Sequence, residues 1–66
     1  MSTYRIYYRQ DDPVFGGSLN EMDRFNRSEL VEALRSFRFY AHDCKWRRVT
    51  WILKRGNKII AKIKNP

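Results

Sequence analysis

Apolar and polar residues alternate over YRIYYR, residues 4–9. That period of two, in β-forming residues, predicts a strand. Tyr4, Ile6 and Tyr8 share one face and Arg5, Tyr7 and Arg9 the other; Ile6 marks the first set as core-facing. The period changes after Phe25. Leu30, Ala33, Leu34, Phe37 and Ala41 recur at i, i+3, i+4 and predict a helix over 27–41. Asn26 and Glu29 have the spacing of a capping box, and Phe25 and Leu30 that of a hydrophobic staple. Arg27, Glu32, Arg35 and Arg38 then face water. Residues 10–25 carry Pro13 and Gly16-Gly17 and read as a loop. Its Val14, Phe15, Leu19 and Met22 are expected to hold it against the core.

Residues 48–64 predict a β-hairpin around Arg55-Gly56-Asn57. Loop length decides which side chains share a face. A two-residue Gly56-Asn57 loop sets Ile52 against Ala61, Trp51 against Lys62 and Val49 against Lys64, leaving both faces mixed. A three-residue loop sets Lys54 against Lys58, Leu53 against Ile59, Trp51 against Ala61 and Val49 against Ile63. One face is then wholly apolar, so this register is expected, with Asn57 taking the left-handed position. The other face presents Arg48, Thr50, Ile52, Lys54, Lys58, Ile60, Lys62 and Lys64. The fold class expected is α+β: a two-layer β-α-β-β domain over 1–66, with one helix packed on a small, mainly antiparallel three-stranded sheet.

Charge sharpens the picture. The net charge is +7. Residues 1–43 carry six basic and seven acidic side chains, whereas residues 44–66 carry eight basic and none acidic. The excess therefore belongs to the hairpin and its approach, which points to an anionic partner. A chain of 66 residues has a small core and little room for a deep pocket, so a non-enzymatic binder is expected. Cys44 is the sole cysteine, which excludes an internal disulfide. With no apolar leader at the N-terminus, a cytoplasmic setting is expected.

The open sheet face is the candidate site. Arg5, Tyr7, Arg9, Arg47, Arg48, Lys54, Arg55, Lys58, Lys62 and Lys64 would contact nucleic acid or another anionic partner, with Tyr7 stacking on a base. Lys54 facing Lys58 would repel, and a polyanion would relieve that repulsion. Trp46, Ile52 and Ile60 would serve as protein-interface anchors, the two isoleucines opposing each other at the centre of the face.

Catalytic and metal sites find less support. His42-Asp43-Cys44 supplies one His and one Cys, too few for a zinc set without several carboxylates. Asp11, Asp12, Glu21 and Asp23 lack calcium-loop spacing. No cofactor, metal or small-molecule substrate is expected.

Lys54-Arg55-Gly56 resembles the start of an RNA-recognition motif's central strand, without the aromatics that should follow. WRRVTWILKRGNKIIAKIK resembles the C-terminal strands of RelE/ParE-type toxins, which would imply a ribonuclease. Those toxins place two helices before the strands, and this chain has room for one. In build, the chain is similar to phage-encoded inhibitors, including anti-CRISPR proteins. That likeness implies a different role, binding a host complex and blocking its nucleic-acid-binding surface.

Overall fold

The computed structural model describes residues 3–11, 17–43 and 48–65. Its elements are β1 (Tyr4–Gln10), β2 (Asn20–Phe25), α1 (Leu30–Asp43), β3 (Val49–Arg55) and β4 (Lys58–Asn65). The sheet has four strands in the order β2-β1-β3-β4, and every neighbouring pair is antiparallel. One helix on one face of an antiparallel sheet is the expected α+β class. The expected three strands are corrected to four.

The added strand is β2, NEMDRF, which lies where a loop was expected. Four of its residues are charged or amide-bearing, a composition depleted in strands. Its backbone bonds to β1 override that preference. Tyr4 pairs with Phe25 and Ile6 with Asp23, and a bulge follows between Ile6 and Tyr7. Met22 and Phe25 pack against the core, but Leu19 is exposed. Val14 and Phe15 lie outside the described residues.

The core sits between the helix and one sheet face. Tyr4 and Ile6 from β1, Ala33, Phe37 and Ala41 from α1, and Val49, Trp51 and Leu53 from β3 are buried. Trp51 is its centre. Tyr40 stacks on it at 5.5 Å between ring centroids, and Tyr8 lies 5.7 Å away on a tilt. Rings in offset or tilted contact add to the stabilisation that burial alone gives. Leu30, expected in the buried stripe, is instead exposed, because the helix begins only there. The preceding Asn26–Glu29 segment is a separate turn. Its reach-back bond is present, with Asn26 N donating to Glu29 Oε1 at 3.0 Å. Glu29's carbonyl accepts the first helical bond, from Ala33 N.

The hairpin corrects the expected register. Gly56-Asn57 is a two-residue turn, and Gly56, not Asn57, takes the left-handed conformation at φ 59°. Arg55 pairs with Lys58 and Lys54 with Ile59; a bulge at Ile60 follows, and Leu53 pairs with Ala61. The bulge inserts one residue and so restores the phase that a two-residue turn would lose. Val49, Trp51, Leu53, Ala61 and Ile63 therefore share the helix side, as the hydrophobic pattern demanded. They do so with different partners: Trp51 faces Ile63, and Val49 faces Asn65.

Candidate anion-binding face

The other side of the sheet is open. Register places on it Glu21 and Arg24 from β2, Arg5, Tyr7 and Arg9 from β1, Thr50, Ile52 and Lys54 from β3, and Ile59, Lys62 and Lys64 from β4. Three rows run across it. Arg9, Thr50 and Lys64 form one, Tyr7, Ile52 and Lys62 the next, and Arg24, Arg5, Lys54 and Ile59 the third.

The face divides electrostatically. Its β1–β2 half is largely neutralised. Glu21 lies 3.6 Å from Arg5 Nε and 3.1 Å from Arg24 Nη2. Hydrogen bonding to Tyr7, with the charge of Glu21 contributing, holds the Arg5 guanidinium above its ordinary value. Arg9 Nε donates to Asp11 at 3.2 Å. The same carboxylate accepts from Thr50 Oγ1 at 2.6 Å, and Thr50 is fully buried. That hydroxyl, with Arg9 behind it and Lys64 contributing, holds the Asp11 carboxyl below the usual carboxylate range. Glu21 is absent from the face expected from sequence because residues 10–25 read as a loop and not as a strand.

The β3–β4 half is different. Among the described residues, Lys54, Lys62 and Lys64 make no ion pair. Lys54 Nζ sits 5.7 Å from the centroid of the Tyr7 ring, a cation–π contact. Tyr7 is half-buried, so this contact joins the two halves of the face.

Several predicted site residues move. Ile52 is on the open face but only 6% exposed, lying between Tyr7 and Lys62 in the ladder. It cannot anchor a partner, and it does not oppose Ile60. Ile60 is the bulge residue, 39% exposed, and Ile59 takes its expected place on the cationic face. Lys58 pairs with Arg55 at the hairpin tip, out of phase with the open-face set, so it does not face Lys54. Arg48 lies just before β3 in the left-handed region, at φ 55°, and its carbonyl accepts from Asp11 N. Trp46 and Arg47 lie outside the described residues, as does Cys44. His42 and Asp43 are exposed at the helix end.

Among the described residues, no group of three or more His, Cys, Asp or Glu side chains is placed to hold a metal ion. Nor is any helix among these residues long and apolar enough to cross a membrane. Compared with protein-family models, curated proteins and solved structures, the chain matches none of them.

Proposed function

We propose that this protein is a non-enzymatic binding module that engages nucleic acid through its open sheet face, anchored on the lysines of the β3–β4 half. One observation carries the reading. Lys54, Lys62 and Lys64 stand on one face of two paired strands, without an acid bonded to any of them among the described residues. No two of them are directly opposed, but as diagonal and same-strand neighbours they still repel, at some cost in stability. A phosphate backbone would convert that cost into affinity by releasing its condensed counterions. Tyr7, in the neighbouring strand, offers an aromatic face beside the lysines.

Fluorescence anisotropy with duplex and single-stranded oligonucleotides tests this. Binding should weaken steeply as salt rises, with a logarithmic slope of roughly 0.7–0.9 per phosphate neutralised. Lys54→Glu combined with Lys62→Glu should reduce affinity by at least about tenfold, as expected when two phosphate contacts are lost. Arg27→Glu, in the turn before α1, should leave it nearly unchanged. No binding at low salt would end the proposal.

The rival reading, an inhibitor that covers a host complex, has one observation in its favour. Ile59, paired with Lys54 on the cationic face, is a large apolar side chain left 52% accessible. Under that reading, a nuclease-treated pull-down returns one stoichiometric protein complex, and oligonucleotides alone do not bind.

A further inference from the structure

The helix-side layer of this fold is incomplete. Four strands about 4.8 Å apart place the outer strand axes roughly 14 Å from each other. A helix with its side chains is about 10 Å across. Helix α1 covers β1, β2 and β3 and scarcely reaches β4. Its rotation is fixed by two contacts. Tyr40 Oη donates to Asp23 of β2 at 3.2 Å, and the Tyr40 ring stacks on Trp51 of β3. At about 100° per residue, Val31 and Leu34 lie on the flank opposite Tyr40, which overlooks β4.

Both walls of that slot are apolar, and both are under-used. On the helix flank, Val31, Leu34, Arg35 and Arg38 line a shallow groove of about 230 Å³, and Val31 is 57% exposed. On β4, register turns Ala61 and Ile63 to the helix side, where both are only partly buried. Alternation from Lys58 brings Ile60 to the same side. The walls run together. Asn65 Nδ2 donates to the Ala41 carbonyl at 2.9 Å, joining the C-terminal ends of β4 and α1. Ten helical residues rise roughly 15 Å and five strand residues roughly 16 Å, so Val31 stands level with Ile60.

Charge identifies the occupant. Arg35 and Arg38 rim the helix wall, and Arg55 and Lys58 rim the hairpin end, on the helix side by register. Among the described residues, no acid lines the groove. We infer that the slot between α1 and β4 takes an amphipathic helix of a partner protein, its aliphatic stripe against Val31, Leu34 and Ile63 and its Asp or Glu side chains against Arg35 and Arg38. Such a helix completes the second layer of the domain, the helix-in-groove mode of recognition. A second copy of α1 is a poor fit, because it would set Arg35 and Arg38 against their own counterparts. The slot lies on the opposite side of the sheet from Lys54 and Lys62, so one chain can hold nucleic acid and a protein at once.

The probe is a labelled synthetic helix-forming peptide of about three to four turns, with Leu at i, i+3, i+4 and i+7 and Glu flanking them. Its control carries Lys in place of Glu. The Glu peptide should bind saturably to the full-length protein and the Lys peptide should not. Arg35→Glu with Arg38→Glu should weaken binding by roughly tenfold, while oligonucleotide affinity stays the same. These side chains are solvent-facing, so the variant's circular dichroism should match the parent's. Backbone amide shifts on peptide addition should map to Val31, Leu34, Ala61 and Ile63. Absence of binding at millimolar peptide, equal binding of the Lys peptide, or shifts confined to Arg5, Tyr7, Lys54 and Lys62 would each overturn the inference.

Discussion

Asp11 holds two donors with one carboxylate, and its contribution to stability depends on pH. It accepts from the buried Thr50 hydroxyl and from Arg9, and these bonds hold its folded-state pKa below the ordinary carboxylate value. A depressed folded pKa means that the carboxylate stabilises the fold at neutral pH. This contribution is lost as pH falls through that lowered value. Denaturant midpoints should therefore drop on acidification, and Asp11→Asn should flatten the drop while lowering the neutral-pH midpoint. Tyr40 behaves in the opposite sense at high pH. Burial, then the negative charge of Asp23 and the bond to it, raise its pKa. The protonated ring is favoured in the fold, and stability declines as pH rises above the ordinary tyrosine value. Tyr40→Phe should remove that alkaline limb. Gly17 is fixed by space instead of charge. A Cβ there would collide with the Gln10 carbonyl and the Arg9 side chain. Gly17→Ala should cost about 1–3 kcal/mol by overpacking, measurable by urea denaturation.

At the scale of elements, the hairpin shows what a sequence can and cannot specify. The sorting of Val49, Trp51 and Leu53 from Thr50, Ile52 and Lys54 was legible, because a buried face fixes strand phase. Turn length was not. A bulge and a longer loop restore phase equally well, and the alternation that both preserve cannot distinguish them. Deleting Ile60 tests the bulge. Lys54–Ile59 and Leu53–Ala61 should then sit on successive rungs of an unbroken ladder, and every pair from Ile52–Lys62 to Val49–Asn65 should persist in cross-strand proton contacts. If the bulge is instead needed for twist at this edge, the pairs beyond Leu53 will weaken. Gly56→Ala isolates the turn. An added Cβ meets nothing within 4 Å, so the cost is conformational, about 1–2 kcal/mol for a left-handed alanine. Strand β2 was illegible for another reason. Its residues have little strand preference, and the partner it pairs with is β1, so the pairing is a tertiary decision with no local signature.

For the whole molecule, the missed strand decides the electrostatics. The cationic face inferred from sequence was uniform, with Arg5, Arg9 and the lysines acting together. Strand β2 brings Glu21 between Arg5 and Arg24, and the adjoining loop brings Asp11 to Arg9. The strongest unneutralised field therefore shifts toward β4, to Lys54 and Lys62. Glu21 thus becomes a sensitive probe of how far a bound polyanion extends. If its footprint spans all four strands, Glu21→Gln frees Arg5 and Arg24 to meet phosphates. Oligonucleotide affinity at fixed salt should then rise by about three- to tenfold, and the salt slope should steepen by about one to two. If the footprint is confined to β3 and β4, both quantities stay near the parent values, while Lys62→Glu still abolishes most binding. The first result is expected, because the Tyr7–Lys54 contact places the aromatic ring at the junction of the two halves. A strand stacked on that ring must pass within reach of Arg5, its neighbour on the same face of β1.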